Sequence, residues 1–261
     1  MYVIDHLSVS QINTFSRCEF QWYFRYVEGK KIPPSSALVR GKAVHLGLAD
    51  IYSSKKTEGI FHTDRVLDII SEYVEHSDEA EEVSWDKPKH KTKDCAVGLV
   101  RTYIDNKYPD MISSKDIEQV EEKLTHYLFT DKGEKLKIIG YPDLILTDRV
   151  VDFKTTSRKV NKISMDYKFQ TAFYTTATDK NTIELQYLIN KKVPEVITLY
   201  TDIDNEIKAI SRNVFIKTYS KIKASLQSGN FLPAGIFHPW ACGYCAYGEK
   251  GMCPYYLSNT S

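Results

Sequence analysis

Three polar side chains in the middle of the chain have types and spacing suited to metal-assisted chemistry. They are Asp143, in the segment GYPDLILT, and Asp152 and Lys154, in the segment VVDFK. If residues 148 and 149 form a two-residue hairpin turn, Asp143 faces Lys154 across the pair of strands. Because side chains alternate along a strand, all three then lie on one face, and Asp143 and Asp152 are diagonal neighbours about 7–8 Å apart at the backbone.

Two carboxylates that converge in this way are typical ligands of a hard divalent cation such as Mg²⁺. Such an ion lowers the pKa of a bound water and offsets negative charge on a phosphate. Lys154, on the same face, can orient that water and stabilise a pentacovalent phosphorus. The alternative is structural: polar residues alternate along half-exposed strands by default, so two solvent-facing acids and a lysine on an edge hairpin would give the same pattern.

Cysteines form a second group of potential ligands. Cys242, Cys245 and Cys253 crowd the end of the chain in a Cys-x-x-Cys-x7-Cys-Pro arrangement, and Cys18 is the candidate for a fourth ligand. This arrangement suits either Zn²⁺ or an iron–sulfur cluster. Cys95 has no partner in this scheme, and we expect it to be a small buried hydrophobic residue.

The elements that must position these residues follow from hydrophobic periodicity and from Gly, Pro and Asp breaks. Helices are predicted at about residues 11–27, 37–52, 63–76, 95–107, 163–178 and 205–228. Strands are predicted at about residues 119–129, 136–139, 141–147, 150–155, 183–190 and 196–200. The highly charged stretch 78–94 is predicted to be a loop or lid. This order predicts a mixed central sheet flanked by helices in an α/β domain, with a helical N-terminal part and a Cys-rich C-terminal tail.

The composition is that of a soluble globular protein, with 42% hydrophobic and 26% charged residues. Lys and Arg number 35 and Asp and Glu number 34, so net charge argues neither for nor against a nucleic-acid ligand. No apolar run approaches the roughly 20 residues of a membrane span, and the N-terminus lacks the layout of a signal peptide. We therefore expect a cytoplasmic location.

A Pro-Asp pair followed on the next strand by Asp-x-Lys resembles the PD-(D/E)XK nuclease superfamily. The segments SVSQINTFSRC, LVRGKAVHLGL and QTAFY resemble its RecB-like branch, which includes the AddB nuclease domain and CRISPR-associated exonucleases, and the resemblance covers about residues 8–255. It implies a restriction-endonuclease-like core, with His45 as a further metal ligand and with Gln170 and Tyr174 at the catalytic site. An acidic residue often precedes the hairpin in this family, and here either Glu121 or Glu122 would fill that role.

The resemblance also implies a [4Fe–4S] cluster, because the RecB-like branch often binds one through an upstream cysteine and three C-terminal cysteines. Cys18, Cys242, Cys245 and Cys253 match that layout, although Glu19 stands where a proline is common. Zinc is the less favoured alternative. Residues 1–30 and 230–257 would together form the cluster-binding part, and residues 36–200 the catalytic core, of a single nuclease domain spanning residues 1–261.

The implied function is that of a metal-dependent DNA exonuclease acting in recombination and repair, phage DNA processing or CRISPR adaptation. His45, Asp143 and Asp152 would hold Mg²⁺ or Mn²⁺, and the DNA would be single-stranded or have free ends. Basic residues that follow the Asp-x-Lys strand are expected to contact its phosphates. They are Arg158, Lys159, Lys162 and Lys168. Four lysines of the charged stretch would give a second contact or simply a solvated face: Lys87, Lys89, Lys91 and Lys93.

Two other functions fit the same residues. One is a non-catalytic iron–sulfur subunit that binds DNA ends within a larger complex, and the other is an endonuclease. The sequence has no G-x-x-x-x-G-K-[ST] phosphate loop, so any unwinding would come from a helicase or from a recombination or CRISPR partner protein.

Overall fold

The computed structural model describes residues 3–80, 82–234, 239–243 and 245–256. The segment 230–257, which was predicted to belong to the cluster-binding part, therefore lies partly outside the described residues. The α-helices within these ranges are α1 (Val9–Arg17), α2 (Glu19–Trp22), α3 (Ser36–Glu58), α4 (Thr63–Glu75), α5 (Ser77–Ala80), α6 (Lys89–Asp105), α7 (Met165–Thr178), α8 (Asn205–Ser228), α9 (Pro239–Gly243) and α10 (Ala246–Glu249). The strands are β1 (Ile117–Val120), β2 (Leu124–Phe129), β3 (Lys135–Gly140), β4 (Leu144–Leu146), β5 (Arg149–Thr156), β6 (Thr182–Ile189) and β7 (Glu195–Asp202).

Contacts divide the chain into two compact units, each made of separate chain segments. Unit 1 comprises Met1–Ile32, Thr125–Gly140 and Ala209–Ser261, and unit 2 comprises Pro33–Leu124 and Tyr141–Lys208. None of the helices in the described ranges combines the length and the apolar character needed to cross a membrane.

Unit 2 contains a five-stranded mixed sheet in the order β1-β4-β5-β6-β7, in which only β5 and β6 are parallel. Apolar side chains on one face of this sheet pack against α3, α4 and α6 in a single buried cluster that includes Leu144, Val151 and Phe153. Helix α7 contacts β6, where Tyr167 meets Tyr187 on the opposite face. The predicted mixed sheet flanked by helices is thereby confirmed.

Helix α3 approaches the sheet closely because it carries small residues on the side that faces its neighbours. A Cβ atom at Gly41 would lie 3.4 Å from Oγ1 of Thr155 on β5, and one at Gly47 would lie 2.5 Å from Cδ1 of Ile70 on α4. The helix continues six residues beyond the predicted end at residue 52 and ends at Gly59, whose φ of 79° suits a glycine C-cap.

Unit 1 contains a two-stranded sheet of β2 and β3, which pairs with the N-terminal segment through Leu7 and Ile138. The helix predicted at 11–27 is interrupted: Cys18 is extended, with φ −162° and ψ 117°, and separates α1 from α2. A π-helical turn, Tyr23–Val27, follows. The prediction of one continuous helix was therefore wrong, because hydrophobic spacing does not register a single extended residue.

Two further predictions about elements were wrong. The strand predicted at 119–129 is two strands, β1 and β2, which belong to different sheets. The loop predicted at 78–94 contains α5 and the first six residues of α6. Lys93 and Lys89 pair there with Glu75 and Asp78, at 2.5 Å and 2.9 Å, and the sequence pattern did not reveal this helix start.

Candidate functional site

The strand pair β4–β5 carries the predicted acidic residues in a register different from the predicted one. Leu144 pairs with Val151 and Ile145 with Val150, two residues out of step with the pairing that a turn at residues 148 and 149 would give, because the turn residues are 147 and 148. Asp143, which directly precedes β4, is therefore directly opposite Asp152 rather than diagonal to it. A shift of two residues preserves the alternation of faces, so the prediction that both carboxylates share one face is unaffected.

Both carboxylates are buried: Asp143 is 8% exposed and Asp152 is 2% exposed. Asp143 is fixed by the backbone N–H of Phe153, which donates to Oδ2 at 2.6 Å. Burying ionisable groups is costly unless they are paired or bind a cation, so this placement contradicts the alternative of two solvent-facing acids.

Asp152 and Lys154 form an ion pair, with Nζ 2.5 Å from Oδ2. That contact lacks the alignment of a hydrogen bond, and the buried Oδ2 accepts none from any residue in the described ranges. Burial raises the pKa of Asp152 to about 6, even though Lys154 opposes the shift. Burial by itself would lower the pKa of Lys154, but the charges of Asp152 and Asp143 outweigh it and hold that pKa above its ordinary value.

An aromatic residue that the sequence analysis missed lies against Lys154. The Nζ atom is 5.2 Å from the ring centroid of Tyr167, on the first turn of α7, and the ring of Tyr187 meets Tyr167 edge-on at 6.2 Å. Tyr187 is opposite Lys154 in the parallel β5–β6 register. The sequence offered one signal for Tyr167: it stands three residues before Gln170 on the same helix, so the two side chains lie on one face of α7.

His45 reaches the carboxylates from α3. Its Nδ1 lies 3.0 Å from Oδ1 of Asp143 and 3.7 Å from Oε1 of Glu121. Burial by itself would lower the pKa of His45, but the charge of Asp143 and the hydrogen bonds that Asp143 and Glu121 accept from the imidazole raise it to about 10.

Glu121 rather than Glu122 joins this group, which settles the choice that alternation left open. A β-bulge between Ile117 and Gln119 shifts the pairing of β1 with β4, and the N–H of Glu121 donates to the carbonyl of Asp143 at 3.0 Å. Glu121 adopts a left-handed conformation with φ 51°, whereas Glu122 is directed to Lys56, 3.5 Å away. A strained non-glycine residue at a cluster of charged groups is typical of functional sites.

Ligand atoms of His45, Glu121 and Asp143 all lie within 4.8 Å of one another. One imidazole and two carboxylates, with the unsatisfied oxygen of Asp152 beside them, form a donor set that suits Mg²⁺ or Mn²⁺. The residues therefore fit a divalent cation, and they include the three predicted metal ligands.

Gln170 and Tyr174 lie on α7 as predicted, and they brace the loop before β4. The Tyr174 hydroxyl donates to the carbonyl of Tyr141 at 3.3 Å. Burial, with the charge of Asp152, raises the pKa of Tyr174, while a hydrogen bond from Gln170 opposes the shift. The two residues thus support the position of the acidic groups.

A cavity of about 580 Å³ opens beside the acidic residues. Its walls include Leu38 and Leu46 of α3, which are 52% and 42% exposed, together with His45 and Lys154. Of the four residues predicted to bind phosphates, Arg158, Lys159 and Lys162 are exposed after β5, and Lys168 is half-buried on α7. Their role stays a prediction.

The four cysteines predicted to bind a cluster all belong to unit 1. Cys18, Cys242 and Cys245 are buried and Cys253 is half-buried. Burial raises the pKa of the Cys253 thiol, and the charges of the other three add to the shift. Among the described cysteines no three sulfur atoms lie within 4.8 Å of one another, and the iron–sulfur and zinc assignments stay predictions. Cys95 is half-buried beside the α3–α4–α6 cluster.

Comparison with known proteins gives one family. A model of the PD-(D/E)XK nuclease superfamily matches residues 6–254. No curated protein is a significant sequence match. Among solved structures, a protein from Eubacterium rectale with a provisional exonuclease name aligns with a TM-score of 0.58 and 14% identity, covering 96% of this chain and 93% of that one. A phage-related exonuclease from Haemophilus somnus 129PT aligns with a TM-score of 0.36 and 10% identity, covering 77% and 98%.

Proposed function

Because this chain belongs to the PD-(D/E)XK nuclease superfamily, we propose that it is a RecB-like, metal-dependent DNA exonuclease that hydrolyses phosphodiester bonds from a strand end. The observation that carries this proposal is the convergence of His45, Glu121 and Asp143 within 4.8 Å, beside the buried pair of Asp152 and Lys154. A DNA-binding subunit without activity would have no need to gather three acidic side chains, two of them buried, beside one histidine and one lysine.

The residues of the proposed catalytic site have separate roles in the reaction. His45, Glu121, Asp143 and Asp152 would hold the cation. When bound, Mg²⁺ or Mn²⁺ acidifies a water and offsets charge on the scissile phosphate. The ammonium of Lys154 donates hydrogen bonds to the attacking water and to the oxygens of the pentacovalent phosphorus. The water oxygen bonds to phosphorus, one P–O ester bond breaks, and the leaving sugar oxygen takes up a proton.

The cavity supports an unpaired strand as the substrate. Exposed leucines offer an apolar surface to the face of a nucleobase, which is covered by its neighbours in an intact duplex but available in a frayed end. A volume of about 580 Å³ lies within the roughly 300–1,000 Å³ of ligand pockets. Strand contacts of this kind tolerate any base sequence, which favours progressive shortening over cutting at defined sites.

The proposal also has finer parts, which follow from the resemblance of the sequence to the RecB-like branch. The four cysteines of unit 1 would bind a [4Fe–4S] cluster in preference to zinc, because their order matches the RecB-like layout. Arg158, Lys159, Lys162 and Lys168 would neutralise phosphates near the metal. We expect the enzyme to act in the cytoplasm, with a helicase or a recombination or CRISPR protein supplying unwound DNA.

The test is cleavage of end-labelled DNA with Mg²⁺. Linear single strands should be shortened progressively, closed duplex circles should survive, and excess chelator should stop the reaction. Asp152→Asn should lose at least 100-fold in rate, whereas Asp148→Asn, an exposed acid at the turn between the same two strands, should keep full rate. Unchanged cleavage by Asp152→Asn would refute the site, and equally fast cutting of closed circles would favour an endonuclease.

A further inference from the structure

Unit 1 contains a cavity of about 280 Å³ that the proposed catalytic site does not use. Its lining combines two arginines, Arg17 and Arg25, with the indole of Trp240 and the polar side chain of Gln21. Ala241 and Tyr247 supply an apolar floor. Charged and aromatic groups that converge on one concave surface are typical of ligand sites rather than of a solvated face.

The two guanidinium groups line this cavity without a carboxylate partner in the described ranges, unlike Arg65 and Arg149, which pair with Asp50 at 2.8 Å and Glu184 at 2.6 Å. Two like charges beside one cavity repel each other, and an anion between them removes that cost. The cavity therefore suits a negatively charged ligand.

Arg17 is held in place before any ligand arrives. Its Nε donates to Oε1 of Gln21 at 3.1 Å, and Nε2 of Gln21 donates in turn to Sγ of Cys245 at 3.2 Å. Arg25 lies with its guanidinium carbon 5.6 Å from the ring centroid of Tyr26. Because Arg17 is already held by its hydrogen bond to Gln21, it loses less conformational entropy when it binds an anion.

The aromatic wall has the character of a stacking surface. Trp240 is 63% exposed, whereas Trp22 is fully buried. An exposed indole beside arginines matches the requirements of an unpaired nucleotide, whose base stacks on the ring while its phosphates meet the guanidinium groups. The volume is close to the roughly 300 Å³ lower limit of ligand pockets, which is room for one base.

We propose that this cavity is a second DNA site, which binds an unpaired nucleotide within a strand through Arg17, Arg25 and stacking on Trp240. The inference rests on the proposed function in so far as DNA is the substrate. A strand is a better fit than a free mononucleotide, because two separate guanidinium groups can meet two successive phosphates.

Intrinsic fluorescence tests the stacking in excess chelator, where no cleavage occurs. A thymidine octamer should quench the tryptophan emission of the wild type. Trp240→Phe should abolish that quenching, while Trp85→Phe, which removes a tryptophan of unit 2, should leave it in place. Equal quenching in Trp240→Phe would overturn the proposal, and so would binding of thymidine monophosphate as tightly as the octamer.

Salt dependence tests the arginines. The double variant Arg17→Ala/Arg25→Ala should bind the octamer at least fivefold more weakly, and its slope of log affinity against log salt should be shallower by about 1.4, since each single-strand phosphate contact contributes about 0.7. Arg101→Ala, which removes an exposed arginine of α6, should change neither. Circular dichroism and melting serve as fold checks, and an unchanged slope in a folded double variant would overturn the assignment.

The two proposals fail differently. If the wild type does not cleave DNA with Mg²⁺ but the octamer still quenches Trp240, the catalytic proposal is wrong and the second site stands. If the wild type cleaves and neither Trp240 nor the arginines affect binding, the second site is wrong.

Discussion

Glu121 gives the sharpest test of the site, because its backbone strain and its side-chain role can be separated. Its φ of 51° lies in the left-handed region, which costs a non-glycine residue about 1–2 kcal/mol. Glycine avoids that cost, but its larger loss of conformational entropy on folding cancels about 0.5–1 kcal/mol of this gain. The free energy of unfolding of Glu121→Gly should therefore be about 0.5–1 kcal/mol higher than that of Glu121→Gln, although both variants lack the carboxylate.

The difference should appear as a rise of roughly 1–4 °C in melting temperature in excess chelator, given about 2–4 °C per kcal/mol for a chain of this size. Both variants should bind Mn²⁺ at least tenfold more weakly by calorimetry, since even outer-shell partners contribute 10–100-fold. Glu122→Gln is the matched control, because Glu122 is 54% exposed and contacts only Lys56 among the described residues.

The backbone argument would be refuted if Glu121→Gly were no more stable than Glu121→Gln. The assignment of the ligand would be refuted if Glu122→Gln weakened Mn²⁺ binding as much as Glu121→Gln.

Three other predictions concern protonation, charge pairing and the cysteines. Since the pKa of His45 is raised to about 10, the melting temperature of the metal-free protein should fall as the pH rises from 7 through 10. Asp152, with a pKa of about 6, is ionised throughout this range. A His45→Asn variant whose melting temperature fell equally with pH would contradict the assignment. Lys154→Met should cut the cleavage rate at least 100-fold and lower the melting temperature of the metal-free protein, because it leaves the buried carboxylate of Asp152 unpaired. Mn²⁺ should restore that melting temperature. An unchanged cleavage rate would exclude the catalytic role of Lys154. Protein purified anaerobically should be brown. The Cys245→Ser variant should lose the colour, and the Cys95→Ser variant should keep it. A colourless wild type with one tightly bound zinc would refute the iron–sulfur assignment.

The sequence predicted the shared face of the two aspartates but not their register. Alternation correctly placed Asp143 and Asp152 on one face, because a register error of two residues leaves parity unchanged. The error itself arose from the position of the turn: β4 ends at Leu146 and β5 starts at Arg149, so the two turn residues are 147 and 148 rather than 148 and 149. Spacing alone does not distinguish these two turns.

Long-range features of the site were not available from local patterns. The choice of Glu121 depends on a β-bulge and on one left-handed residue, neither of which leaves a periodic signal. The contact of Tyr167 with Lys154 joins a helix to a strand and depends on how α7 lies on the sheet. The helices that were predicted with accurate bounds, α4 and α8, are those with long uninterrupted periodicity.

The composition of unit 1 has a consequence for synthesis of the protein. Its first segment ends at Ile32 and its last begins at Ala209, so on the ribosome Cys18 emerges long before Cys242, Cys245 and Cys253. At roughly 5–20 residues per second, the wait lasts on the order of 10–40 s, during which unit 2 can fold before the last segment of unit 1 is made. A nascent chain can thus form its acidic pocket first, whereas Cys18 can meet the three later cysteines only once residue 253 has been made.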